Sequence, residues 1–213
     1  MSAPAVPTRR DARRNRDLLI RAAQRRFAEQ GVDASLEQVA RDAGLAIGTL
    51  YRHFPCRVDL LAAAFEPKLT GFLDAGEQAL TSDDPWEGLC TFLERFGAAQ
   101  VDDRGFNDFL SMRFPSRDRT EAMHDRLCAL LHDLLSRAQE TGAVRPDVTH
   151  ADVISLVWAN TRIIEATRDV APHAWRRHLY LMLDGFRAGP ARELPEPPLT
   201  DEQLYAAMVR LGG

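Results

Sequence analysis

Between Ser35 and Pro55 the chain starts a helix, ends it, then starts and ends a second one, with almost nothing left over for the connection. Ser35-Leu-Glu-Gln38 has the capping-box pattern, in which a serine and a glutamine three residues on satisfy amides of a first helical turn. Leu36, Val39 and Ala40 follow at helical spacing, and Gly44 closes this helix after about two turns. The next helix, Ala46 to His53, begins at once, and Pro55 ends the unit. A longer helix, Asp11 to Gln30, precedes the pair; Ile20, Ala23 and Phe27 share one of its faces and Gly31 stops it. Two short amphipathic helices on a glycine turn, braced by a longer one, describe helix-turn-helix geometry. Ala40 is small where the two must approach, and Gly44 can take the backbone conformation of the turn. With Val39, Leu45 and Leu50 turned to the core, the last helix presents Ile47, Gly48, Thr49, Tyr51, Arg52 and His53 on its outer face.

The remainder also reads as helix. Ala, Leu and Arg supply 82 of the 213 residues, while Val and Ile together supply 16, a bias toward helix and away from strand. Helical segments run from about Cys56 to Leu80, with Pro67 predicted to kink or split it, and from Pro85 to Ala99 behind an Asp84 cap. Further segments are Phe106–Phe114, Ser116–Thr141, His150–Asp169 behind Thr149, and Pro172–Arg187. A Pro-rich break, Gly189–Pro198, leads to a last short helix capped by Thr200 and Gln203. Apolar runs stay well short of the roughly 20 residues that cross a bilayer, so no membrane role is expected. The Arg-rich start has no apolar stretch of a secretory signal, and Cys56, Cys90 and Cys128 are too far apart for a disulfide framework or a Cys-x-x-Cys site. A cytoplasmic setting is expected.

Charge is divided unevenly. Residues 1–60 carry 11 arginines and 7 acids, while the rest of the chain carries 16 basic residues and 24 acids. A basic head on an acidic body suits a polyanion partner. The outer face of Ala46–His53 suits phosphate bonding, base-edge bonding and contact with thymine methyls. Arg9, Arg10, Arg13, Arg14 and Arg16 lie just before or at the start of the first helix. They read either as a solvated arm or as an arm on phosphates or in a minor groove.

The run Val39-Ala-Arg-Asp-Ala-Gly44-Leu-Ala-Ile-Gly48-Thr-Leu-Tyr51-Arg-His53-Phe-Pro-Cys-Arg57-Val-Asp-Leu-Leu61 resembles the DNA-binding signature of TetR-family transcriptional regulators, over about residues 15–65. Beyond it, only length, helical content and helix order agree. The resemblance implies a homodimeric DNA-binding protein, usually a repressor, with a ligand-binding C-terminal domain. It implies operator contacts from Thr49, Tyr51 and His53, and a phosphate contact from Arg57, where lysine is usual. Ala46 departs from the Ser or Thr that usually caps the recognition helix, a loss of about 0.5–2 kcal/mol of local stability. The expected DNA-contacting set is Ser35, Ile47, Gly48, Thr49, Tyr51, Arg52, His53 and Arg57, with Arg9, Arg10, Arg13 and Arg14.

In the body, Phe106, Phe109, Met112, Phe114 and Met123 read as plain core that could also line a pocket. His124, Cys128 and His132 recur every fourth residue on one helix; they could hold a soft metal or simply edge the core, and no fourth ligand is apparent. Trp158, Arg162 and Glu165 share a face that suits a pocket rim or a dimer salt bridge equally. The candidate ligand set is Phe109, Met112, Met123, His124, Cys128, Trp158 and Arg162. No HExxH, GxSxG or glycine-rich phosphate loop occurs, so neither an enzyme nor a cofactor is expected.

The expected fold is all-α: a disordered basic arm at 1–10, a helix-turn-helix DNA-binding domain at 11–60, a helical ligand-binding and dimerisation domain at 61–190, and a Pro-rich break with a short helix at 191–213. Expected partners are double-stranded operator DNA, a small-molecule effector, and a second copy. The second copy would pair through helices at about 150–169 and 173–187, whose stripes are Val153, Ile154, Val157, Trp158, Thr161 and Trp175, Leu179, Met182, Leu183, Phe186. An activator, a metal-responsive regulator and a helical carrier without a DNA role are the alternatives.

Overall fold

A computed structural model describes residues 9–101, 103–111, 118–190 and 192–211, and among them the fold is all helical. The helices are α1 Arg9–Gln30, α2 Leu36–Asp42, α3 Ile47–His53, α4 Arg57–Leu80, α5 Pro85–Val101, α6 Arg104–Ser111, α7 Asp118–Glu140, α8 His150–Thr167, α9 Ala174–Phe186 and α10 Asp201–Leu211. The described extended pairing is a single bridge, Val144 to Arg187, which ties the end of α7 to the end of α9. The expected lead at 1–8 and the segment 112–117, which holds Met112, Phe114 and the predicted stop at Pro115, lie outside the described residues. Arg9 and Arg10 belong to the first turn of α1 rather than to a disordered arm.

Local chemistry explains most boundaries. Gly31, at φ +83°, donates its amide to Phe27 O at 2.8 Å and ends α1. Gly44, at φ +69°, closes α2 with the paired bonds of a Schellman motif, Gly44 N to Arg41 O and Leu45 N to Ala40 O, both 2.9 Å. Only half of the box expected at α2 forms. Ser35 Oγ accepts from Gln38 N at 3.4 Å, but the Gln38 side chain turns to Arg41 and Asp42 instead. Those exposed charged partners outcompete the backbone amide. By contrast, Thr149 donates both its amide and its hydroxyl to Asp152 at the start of α8, at 2.8 and 2.9 Å.

Pro67 does not split α4, which runs unbroken from Arg57 to Leu80. It lies on the exposed side, and Gln24 of α1 donates to Ala64 O at 3.0 Å, next to the Ala63 carbonyl that the proline leaves without a helical amide. The buried face of α4 carries Leu60, Leu61, Ala64, Phe65, Leu69, Phe72 and Leu73.

That face joins head and body. Phe65 stands 6.0 Å from Phe27 of α1, 5.6 Å from Phe106 and 5.2 Å from Phe109 of α6; Phe72 stacks on Phe106 and meets Phe96 of α5 at 5.1 Å. Such ring pairs add about 0.5–1.5 kcal/mol each beyond the area they bury. Buried packing therefore runs without a break across the boundary expected near residue 60.

The late helices differ from expectation in one respect. Leu179, Leu183, Phe186 and Trp175 of α9, with Val153, Ile154 and Thr161 of α8, are buried within the chain itself. Met182 is exposed, as are Tyr180 and Leu181, while Val157 and Trp158 are half-buried. α9 is short and packs on both α5 and α8, so its most apolar stripe goes inward.

Candidate nucleic-acid interface

Helices α1 and α2 set the position of α3. Leu50 is fully buried and Phe54, its C-terminal cap, is 2% exposed, so α3 is pinned by its inner edge. The Arg16 guanidinium lies over the Phe54 ring at 5.1 Å. Arg26 of α1 makes a bidentate pair with Asp42 of α2 at 2.5 and 3.1 Å. Hydrogen bonding to Arg26 holds the Asp42 carboxyl below its ordinary range. Ala46 takes the extended cap conformation and offers no side-chain bond, as its methyl group dictates.

The outer face of α3 is polar. Tyr51 is 49% exposed, Gly48 and Arg52 are exposed, and Thr49 and His53 are half-buried. Arg52 folds back along the helix, its Nε donating to Gly48 O at 3.1 Å and one Nη to Thr49 Oγ1 at 3.0 Å. Ile47 departs from expectation: it is half-buried against the core, because the first turn of α3 leans on the body of the head. Ser35 is exposed, and its hydroxyl serves α2. Arg57 donates through Nη1 to Val32 O and Ala34 O, both 2.7 Å. One end of its guanidinium thus holds the loop between α1 and α2, a use that a lysine could not combine with a planar second contact. Arg9, Arg10, Arg13 and Arg14 are exposed on the first turns of α1.

The body brings its candidate ligand residues together only in part. Phe109 is fully buried, His124 is 3% exposed, and His124 Nε2 lies 3.1 Å from Phe109 O. Met123 packs half-buried beside them. Cys128 and His132 point elsewhere, into a cleft of about 420 Å³ shared with His150, Asp201, Leu204, Tyr205 and Met208. The helical spacing that aligned His124, Cys128 and His132 therefore spreads them over two environments, and no group of three metal-ligating side chains assembles among the described residues. Arg162 pairs with Glu165 on the exposed side of α8, near the half-buried Trp158.

Periodicity gave no hint of a buried polar cluster between α5, α6 and α8. Gln100 Nε2 lies 2.7 Å from Asn107 Oδ1 and 3.3 Å from Thr161 Oγ1, which is 2.8 Å from Asn107 Oδ1. Nearby, His178 Nδ1 meets Asn160 Oδ1 at 3.2 Å. Lone amides in Leu-rich helices carry no distinctive spacing, so only tertiary contact reveals them. Toward the start of α5, Cys90 is buried, and burial pushes its thiol up to about 12. No helix among the described residues is long and apolar enough to cross a membrane.

Comparison with known proteins agrees with this arrangement. The profile of bacterial regulatory proteins of the tetR family matches residues 19–64, and that of the SbtR-like transcriptional regulator C-terminal domain matches residues 84–188. The TetR transcriptional regulator SCO0520 of Streptomyces coelicolor is 30% identical and superposes with a TM-score of 0.53, over 81% of this chain and 98% of that one. The transcriptional repressor KstR of Mycolicibacterium smegmatis is 29% identical over 137 residues, 62% of this chain and 67% of its own length. FadR of Bacillus subtilis, solved with stearoyl-CoA, is 17% identical and shares the fold at a TM-score of 0.60, over 78% of this chain and 96% of that one. With its outward-facing α3 carried on a helical body, the chain belongs to the TetR family of DNA-binding transcriptional regulators.

Proposed function

We propose that the protein is a ligand-responsive repressor that acts in the cytoplasm and binds a palindromic operator as a homodimer. The observation that carries this reading is the outer face of α3, where Gly48, Thr49, Tyr51, Arg52 and His53 stand free of the core. Two such helices must lie about 34 Å apart to enter successive major grooves, which a two-fold dimer supplies. The surface left for that dimer is Val157 and Trp158 of α8 with Tyr180, Leu181 and Met182 of α9. Thr49, Tyr51 and His53 read bases and phosphates, the exposed Arg9, Arg10, Arg13 and Arg14 add backbone contacts, and Arg57 keeps one edge of its guanidinium for a phosphate.

The effector enters the body. What supports this is that α5 and α6, which carry Gln100 and Asn107, also bury Phe96, Phe106 and Phe109, so apolar rings and a few neutral polar atoms share the interior, the usual composition of a small-molecule site. FadR, which shares the fold, was solved in complex with stearoyl-CoA. By preferring a dimer with a different α3 separation, the effector draws the population away from DNA. A mobility-shift assay with the DNA flanking the protein's own gene tests the reading: a retarded band that competitor DNA does not remove is expected. Absence of any band, with that DNA and with a random-sequence pool, overturns it.

A further inference from the structure

Residues 31–35 form the whole connection from α1 to α2, the chain's entry into the helix-turn-helix. Val32 and Ala34 are 5% and 4% exposed, so water does not serve the backbone there. The connection is held from two sides. From α4, Arg57 Nη1 donates to Val32 O and Ala34 O. From α6, Asp108 Oδ2 accepts the Val32 amide at 3.2 Å. Ser35, the next residue beyond, caps α2, and α2 carries α3 through the Gly44 turn.

Two glycines make room for this approach. A Cβ on Gly31 would sit 2.6 Å from Asp108 Oδ2, and one on Gly105 would sit 2.6 Å from Phe27 O. Helix α6 thus presses on the last turn of α1 as well as on the loop. Its neighbouring residue, Asn107, belongs to the buried cluster with Gln100 and Thr161. Consecutive side chains of one short helix therefore grip the effector domain and the DNA-binding head.

We propose that Asp108 is a positioning residue for DNA recognition: its carboxylate fixes the α1–α2 connection to α6, so the placement of α6 sets the placement of α3. The proposal rests on the DNA-binding reading above.

Backbone hydrogen exchange and DNA affinity test this together, the latter with a duplex that the wild type selects from a random-sequence pool. In the wild type, the Val32 amide should exchange as slowly as amides within α6, while exposed Asp33 exchanges fast. Asp108→Leu removes the acceptor and should speed Val32 exchange and weaken DNA binding, each about tenfold. Asp108→Asn keeps an acceptor and should restore both toward wild type, with helix content and self-association unchanged in either variant. If Asp108→Leu does not fold, Asp108→Ala serves with the same expectations. Wild-type DNA affinity and wild-type Val32 protection in the acceptor-less variant would overturn the proposal, as would a Val32 amide that exchanges like Asp33 in the wild type. A wild type that selects no duplex instead removes the DNA-binding reading, and the exchange rates still decide whether Asp108 holds the loop.

Discussion

On α3, Tyr51 is half exposed and Arg52 lies on the surface, whereas in the body Gln100 and Asn107 are 1% and 2% exposed. The two regions use polar groups in opposite ways. A duplex is a large polyanion that stays in water, so its reader must keep cations and hydroxyls outside and spend apolar residues only on bracing. Inside the body, Gln100 and Asn107 are out of water, so each must find a hydrogen-bonding partner within the chain, and they find each other and Thr161. Substitutions on the outer face of α3 should therefore spare stability, while substitutions at buried positions of the body should not. Each of the following outcomes would sharpen that contrast or break it.

The largest effect belongs to the α9 stripe. Leu183 is 1% exposed, so Leu183→Arg should cost the folded chain about 3–5 kcal/mol by burying an unpaired charge. Thermal unfolding would register this as a collapse of the body rather than a clean loss of dimer. Leu181 is 58% exposed, and Leu181→Arg should leave the melting curve in place while sedimentation reports weaker self-association. Equal melting curves for the two variants would mean that α9 is turned the other way.

On the reading face, Thr49→Ala combined with Tyr51→Phe should weaken DNA binding by about 1–3 kcal/mol without shifting the melting temperature, since Tyr51 is exposed and the Thr49 hydroxyl bonds only to the exposed Arg52 among the contacts described. Fluorescence anisotropy with a selected duplex reads the first and circular dichroism the second. A fall in stability with unchanged affinity would reverse the assignment of α3.

Gly31→Ala places a side chain at φ +83° and against Asp108, at a cost of about 1–3 kcal/mol from backbone strain alone. The loss should appear as fraying of the head, seen as faster exchange in α2 and α3, with the α8–α9 amides unchanged. Uniform acceleration through the chain would show that the shared aromatic core makes head and body one cooperative unit.

The smallest effect concerns pH. Burial pushes the Asp108 carboxyl above its ordinary 3.8, against the Val32 amide and Arg104, with Glu165 and Asp33 adding to the rise. Because the folded value is the higher one, the stability linked to this proton is complete below the ordinary value and is lost as pH rises through the folded one. At neutral pH the ionised carboxylate is therefore a cost. Asp108→Asn should melt slightly above wild type at pH 7, with the gap closing toward pH 4. A gap that widens on acidification would mean the carboxylate is stabilised where it sits.

How much of this is legible without coordinates follows from the range of each interaction. Gly31, Gly44, Thr149 and Asp152 act within a turn of their own position, and the elements they bound fall where the chain announces them. The outer face of α3 is readable for the same reason: seven residues of helix with a buried Leu50 leave little choice of what points out. Spacing misleads where a helix has neighbours on several sides. The stripe through Leu179, Leu183 and Phe186 is a true stripe, yet periodicity does not say whether its partner is α5 and α8 or a second chain. His124, Cys128 and His132 align on α7, but what each meets depends on α6 and α10.

Helical content, the helix-turn-helix and most of the side chains it turns outward follow from local chemistry, because caps, glycine turns and amphipathic periods are short-ranged; Ile47, which leans on the core, is the exception. Only the tertiary structure decided that head and body share one aromatic core, that Gln100, Asn107 and Thr161 meet inside it, and that Asp108 reaches the Val32 amide. Those contacts join residues as far as 76 positions apart, and no local preference of either partner encodes the other.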